Sequence, residues 1–247
     1  MKGWKQWAIR LVGAGLIGWA ACAAADEPGR ATRNISQPFN EVRLVGDFDL
    51  ELVQTDTTDA IIEAAPEDLP NIRSDIEDGV LTLQWGSAGG LNPFKWFSRH
   101  PSARVSLSVR TIDRLILDGS GSIHSAAWTH HALDVRLSGS GDVKFDRLTA
   151  TRFTCEVAGS GNVVVAGSST NQKIRIAGSG NYRAPDLKSQ TATVAISGSG
   201  DVELWAERTL DARIAGSGGI RYYGSPTVKQ SVSGSGSVTS LGAKSPP

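Results

Sequence analysis

The stretch LSGSGDVKF, residues 137–145, decides the fold, because the Gly-Ser-Gly at its centre recurs along the chain. The first glycines of the copies are Gly119, Gly139, Gly159, Gly178, Gly198, Gly216 and Gly234, separated by 20, 20, 19, 20, 18 and 18 residues. Two residues before each stand Leu117, Leu137, Val157, Ile176, Ile196, Ile214 and Val232, all aliphatic. Four residues after each stand Ile123, Val143, Val163, Tyr182, Val202, Ile220 and Val238. Period-two alternation on both sides, as in Leu133, Val135, Leu137 and then Val143, Phe145, marks half-buried strands flanking a turn. A unit of this length cannot bury its apolar face alone, whereas stacked units can, each strand pairing with its equivalent about 4.8 Å away. The predicted fold is all-β: a single-stacked β-solenoid, parallel β-helix-like, with about seven Gly-Ser-Gly coils. Glycine suits the corner because positive φ and close backbone approach both penalise a Cβ.

Working outward, residues 34–115 lack the tripeptide but alternate well in FNEVRLVGDFDLELVQ, AIIEAAP, GVLTLQW and ARVSLSVRT. They are expected to form irregular N-terminal β coils, continuous with the solenoid, that cap an end otherwise left as an unpaired edge. The solenoid proper then spans 116–240, and 241–247 reads as a disordered tail. One connection, GSAGGLNPFKWFSRHPS from Gly86 to Ser102, is not explained by the repeat. Asn92-Pro93 suits a helix cap followed by a first-turn proline, and Phe94, Lys95, Trp96, Phe97 and Arg99 set aromatics beside basic groups. Two readings stay open: a cover over an open end or flank, or a binding site for a membrane interface or partner groove.

Residues 1–25 carry Lys2, Lys5 and Arg10, then an apolar run from Leu11 to Ala21 and a small-residue cleavage site at Ala23-Ala24-Ala25. This is the pattern of a secretory signal peptide, and the run is shorter than the ~20 residues a spanning helix needs. The full chain has 25 basic and 25 acidic side chains; removing three basic ones leaves 22 against 25, a net charge of −3. Cys22, in WAAC, is a candidate lipidation site, so processing at Cys22 and cleavage after Ala25 both stay open. The latter leaves Cys155 as the one cysteine. The expected location is outside the cytoplasm: the periplasm or outer envelope of a bacterium, with lipid anchoring through Cys22 as the variant form. GAGLIG, residues 13–18, matches a dinucleotide fingerprint but has no preceding strand or βαβ context and is discarded.

The repeat turns GSGD, GSGN and GSGS, the segment PEDLPNIRSDIEDGVLTLQW and the segment IRYYGSPTVKQSVSGSGSV resemble the head GIN domain family of putative auto-transporter adhesins. The resemblance covers roughly residues 34–240. It implies a secreted β-solenoid of the bacterial envelope and brings no catalytic residues with it.

The residue after each tripeptide forms a column: Ser122, Asp142, Asn162, Asn181, Asp201, Gly219 and Ser237. GSGD is similar to calcium-binding nonapeptide turns, but one turn per coil supplies too few oxygens for an ion that takes six to eight. Asp142, Asn162, Asn181 and Asp201 are therefore read as structural, a side-chain ladder or a turn preference. His124, His130 and His131 lack ligand partners at sequence spacing for zinc. The repeated serines offer no unique base or oxyanion hole, and no GxSxG elbow occurs. Cys155, in register with Val135 and Ile174, points inward as an inert thiol. No cofactor or metal is expected, and no basic stripe suits nucleic acid. The expected protein is not an enzyme; it presents a rigid surface for an envelope protein, glycan or lipid surface. The alternatives are a structural or assembly module of the periplasm and a glycan-processing enzyme. Two carboxylates about 5–10 Å apart in a groove would mark the enzyme.

Overall fold

The structure is a computed structural model that describes residues 29–33, 35, 37–86 and 103–244. The N-terminal portion contains β1 (Gly29–Arg33), β2 (Glu41–Gly46), β3 (Phe48–Gln54), β4 (Asp59–Ala64), β5 (Ile72–Glu77), β6 (Val80–Trp85) and β7 (Ala103–Val109). The repeat region begins with β8 (Arg114–Gly119), β9 (Ser122–Ser125) and β10 (Trp128–Gly139). Long strands follow: β11 (Asp142–Gly159), β12 (Asn162–Gly178), β13 (Asn181–Gly198) and β14 (Asp201–Gly216). It closes with β15 (Gly219–Tyr223), β16 (Thr227–Gly234) and β17 (Ser237–Ser240). All belong to one 17-stranded sheet wound into a solenoid of about six turns. A short 3-10 turn at Leu69–Asn71 is the one helical element among the described residues.

Each long strand runs from one Gly-Ser-Gly to the next, and a bend rather than a loop divides its two halves. The ladder skips residues there, between Phe145 and Leu148 in β11 and between Ala184 and Lys188 in β13. Such irregularities let a continuous strand turn a corner without giving up its pairing on either side. At the other corner the tripeptide itself continues the ladder: Ser160 N–H donates to the Gly139 carbonyl at 2.9 Å and Asn162 N–H to the Gly141 carbonyl at 3.2 Å. Gly159 has φ +132°, and a Cβ there would fall on the Gly139 carbonyl oxygen; one on Gly161 would fall on the Gly141 oxygen and the Leu137 side chain. The stacking distance itself therefore demands glycine at both positions.

The two predicted rows line the core. Leu117, Leu137, Val157, Ile176, Ile196 and Ile214 are buried, as are Ile123, Val143, Val163, Tyr182, Val202 and Ile220. One buried polar knot interrupts the aliphatic interior. Tyr182 donates its hydroxyl to Gln172 Oε1 at 3.0 Å. Gln172 Nε2 donates to Ser189 Oγ and to the Trp205 carbonyl, so these buried groups pair with one another. Burial holds the Tyr182 hydroxyl well above its ordinary pKa.

The N-terminal residues do form coils, in an order the sequence does not announce. β2 and β3 meet at Gly46, which has φ +116° and pairs with Gly119, adding an eighth glycine to the corner row. β6 stacks on β2 and β7 on β3, both parallel, so the outermost coil is made by a later part of the chain than the coil it covers. β2–β3 is thus inserted between β6–β7 and β8–β9. Antiparallel strands complete the end: β5 on β6, β4 on β7 and β1 on β4. Trp85 stacks on Phe48 at 5.5 Å between ring centroids, and a Cβ on Gly46 would lie 2.8 Å from Trp85 Cδ1.

The opposite end has no such cover. β16 and β17 form the last layer, and Val232, the final member of a row otherwise 0–3% exposed, is 41% exposed. Val228 and Val238 beside it are half-buried. Residues 241–244, expected to be part of a disordered tail, are instead tied down: Leu241 N–H donates to the Tyr222 carbonyl and Gly224 N–H to the Gly242 carbonyl.

Candidate functional site

Phe94, Lys95, Trp96, Phe97, Arg99 and Cys22 lie outside the described residues. Their flanks fix one point: Gly86 and Ala103 border the connection between β6 and β7, where the neighbouring coil has only Gly46-Asp47 between its paired strands. Gly86 and Ala103, the described residues on either side of it, both lie at the corner row of the outermost coil.

Hydrogen bonds to side-chain oxygens join three steps of the turn column. Asn162 donates to Asp142 Oδ1 and Asn181 to Asn162 Oδ1, both at 2.9 Å, and the Gly219 N–H donates to Asp201 Oδ1 at 2.9 Å. At the start of the column Ser122 donates to Asp49 at 2.6 Å. Donor hydrogens occupy oxygens that a cation would need. Among the described residues no cluster of three or more His, Cys, Asp or Glu side chains is arranged to hold a metal ion.

His124 and His130 have acidic partners that sequence spacing could not reveal, because stacking supplies them from other coils. His124 lies between Glu51, 2.8 Å from Nδ1, and Asp146, 2.9 Å from Nε2. A carboxylate at each ring nitrogen asks both nitrogens to donate, which the imidazolium alone can do. The bonds to Asp146 and Glu51 raise the His124 pKa above its ordinary 6.5, and Asp146 is lowered by Lys144 and His124. His130 Nε2 sits 2.7 Å from Asp113, whose pKa is lowered chiefly by that bond. On the adjoining face Arg114 bridges Glu41 and Asp134, and Arg136 bridges Asp134 and Glu156. Opposite charges therefore alternate from coil to coil. Cys155 is fully buried between Val135 and Ile174, and desolvation pushes its thiol far above the ordinary range.

The site that sequence reasoning missed is a concave one. At the bend between the two halves of each long strand, a trench of about 540 Å³ runs across four coils. One wall is Thr129, Thr149, Ser168 and Lys188, which stand in register. The other is His131, Thr151, Thr170 and Gln190, two residues further on in each coil. His130, Ala150 and Ser169 form the floor. The walls carry hydroxyl, amide, imidazole and ammonium groups about 4.8 Å apart along the trench and about 7 Å apart across it. The signal lay in the sequence as hydroxyl pairs spaced one repeat apart, Thr149/Thr151 and Ser168/Thr170. In a strand both members of each pair already share a face; stacking of the four coils in register is what lines the pairs up as two walls.

Stacked coils with one glycine corner row, an aliphatic core and polar outer faces define a β-solenoid. Residues 38–226 match the family described as "putative auto-transporter adhesin, head GIN domain", and the chain belongs to that family. Solved structures share the fold. A "putative adhesin" of Bacteroides fragilis NCTC 9343 is 24% identical over 86% of this chain and 97% of its own, with a TM-score of 0.76. A "putative lipid binding protein" of Parabacteroides distasonis ATCC 8503 is 26% identical over 88% of this chain and 98% of its own, with a TM-score of 0.70. A "putative adhesin" of Parabacteroides merdae ATCC 43184 is 19% identical over 88% and 97%, at 0.66. No curated protein sequence is significantly similar to the chain.

Proposed function

We propose that the protein is a non-enzymatic, adhesin-like module of the bacterial envelope that holds an extended polar polymer, a glycan strand, along its bend trench. The observation that carries this reading is the pair of parallel rows of hydrogen-bonding side chains, repeated over four coils. An extended sugar chain offers hydroxyls at a comparable repeat, and a rigid ladder meets them with little ordering cost. The rows place no aromatic platform in the trench, so each contact is weak and binding grows with polymer length. Binding rather than catalysis is supported by the repetition: the two middle coils present the same hydroxyl pair, Thr149/Thr151 and Ser168/Thr170, whereas an active site needs one differentiated set. Export is supported by the signal-peptide pattern of residues 1–25 and by the family's description as adhesins. The anchored form would be attached through Cys22, and Phe94, Trp96 and Phe97 would offer a second contact.

The test uses the mature chain and chitohexaose or peptidoglycan glycan strands as probes, followed by NMR shift changes. Binding should map to the trench, strengthen from di- to hexasaccharide, and weaken at least about tenfold in Thr151→Val/Thr170→Val, which keeps side-chain shape and removes the hydroxyls. Length-independent binding, or shifts confined to other faces, overturns the reading.

A further inference from the structure

Beside the last coils lies a second site, separate from the trench. The Lys244 ammonium is 4.7 Å from the centroid of the Tyr223 ring and 5.9 Å from that of Trp205. It donates to the Pro185 carbonyl at 2.9 Å and to Asp186 Oδ1 at 2.7 Å. These four groups come from three neighbouring strands, β13, β14 and β15. The Trp205 ring is itself fixed: it is 1% exposed and its indole N–H donates to Glu207 at 2.9 Å. The Tyr223 face, a carboxylate and a carbonyl converge on one nitrogen beside the Trp205 ring, which the Lys188 ammonium also approaches at 5.3 Å, and together they make a cage for an alkylammonium group.

The cage is built on the sheet, but its occupant is not. Lys244 arrives on residues 241–244, which lie beyond β17 and are held by the two backbone hydrogen bonds at Leu241 and Gly242. Leu241 is 39% exposed, and Gly242, with φ +88°, has open space where a Cβ would point. Segments with so few buried apolar contacts open at low free-energy cost. A preformed site whose resident ligand sits on a lightly held arm is one that an outside ligand can enter.

We infer that Tyr223, Trp205, Asp186 and the Pro185 carbonyl form a binding site for a primary alkylammonium group, such as a partner's lysine side chain, and that Lys244 is its displaceable internal occupant. The hydrogen bonds select the chemistry. An ammonium has three donors; two are taken by Pro185 and Asp186, and the third side faces the Tyr223 ring. A quaternary ammonium has no donor and leaves both oxygens unanswered. The site is thus distinct from aromatic cages that rest on cation–π attraction alone.

The experiment titrates n-butylammonium into the full chain carrying Lys244→Met, which keeps an apolar stem and removes the charge. The readout is the Trp205 indole N–H resonance, assigned by its loss in Trp205→Phe. A saturable shift is expected. The unmodified chain should need at least about tenfold more probe because its own lysine competes, and tetramethylammonium should bind at least about tenfold more weakly than n-butylammonium. In the unmodified chain, high probe should also move the Leu241 and Gly242 amide resonances as the arm leaves. Adding Asp186→Asn and Tyr223→Ala to Lys244→Met should abolish the shift. The inference is overturned by an unsaturable response in Lys244→Met, by equal affinity of the two chains, by equal affinity for the two ammonium ions, or by arm amides that stay still at saturation. Far-UV circular dichroism of each variant verifies that the solenoid is intact, and the arm-amide readout needs no substitution at all.

Discussion

The two ends of the solenoid solve the same problem differently. A stack of parallel strands must stop somewhere, and its last layer exposes both unpaired backbone groups and one side of the core. At the N-terminal end β6 and β7 cover β2 and β3, and β1, β4 and β5 then close the layer with antiparallel pairing. There Leu81, Leu83, Val105 and Leu107 are as buried as the middle of the stack. At the other end β16 and β17 carry the same alternation, yet Val232 is 41% exposed. An inward-pointing residue in a solenoid is buried by the next coil as much as by its own. Periodicity says which way a side chain points, and only the stack says whether anything lies on top of it.

The comparison breaks most sharply along the row two residues before each corner. Val157→Asp puts a charge where the neighbours Leu137 and Ile176 offer no partner, at a position 2% exposed. A loss of about 3–5 kcal/mol is expected, seen as unfolding at markedly lower denaturant. Val232→Asp makes the same chemical change in the same row and should cost at most about 1 kcal/mol, because water reaches the last coil. Equal losses would show that the open end is covered in solution.

Glycine substitution sharpens the contrast at the backbone. Gly159→Ala must push the Gly139 carbonyl away and strain a φ of +132°, so a loss of about 2–4 kcal/mol is expected from chemical denaturation. Gly242→Ala, at φ +88° with open space around it, carries the conformational penalty alone, about 1 kcal/mol, and confined to the arm.

A smaller effect is predicted for pH. His124 has a raised pKa when folded, so its contribution is full below about 6.5 and is lost as pH rises through the folded value. Asp146 has a lowered pKa, which keeps its side of the bond charged into moderate acid. The difference in Tm between the native chain and His124→Gln should therefore be larger at pH 6 than at pH 9. With the groups over a third exposed, the bridge should contribute no more than about 1 kcal/mol to stability. A difference that grows with pH reverses the sign and removes the imidazolium bridge. The smallest expected effect is that of calcium: since Asn162, Asn181 and the Gly219 N–H already occupy column oxygens, neither EDTA nor added calcium should move Tm by more than about a degree. A rise of several degrees with calcium would require ligands beyond this column.

The tripeptide spacing and the two aliphatic rows were enough to read the solenoid, its corner and its core, because each coil repeats one local problem and a 20-residue period is visible without any long-range knowledge. The Gly46 corner escaped that reading: it is Gly-Asp-Phe instead of Gly-Ser-Gly, and it occurs once. The insertion of β2–β3 between β6–β7 and β8–β9 escaped for a different reason, since the pairings Glu41 with Arg114 and Gly46 with Gly119 join residues 73 apart and leave no local trace. His124 between Glu51 and Asp146 and Lys244 inside the Tyr223–Trp205 cage have the same origin. Local periodicity fixes which face a side chain takes; stacking decides its neighbours, because the coil that lies beside a residue is set by the order in which the chain returns to the stack.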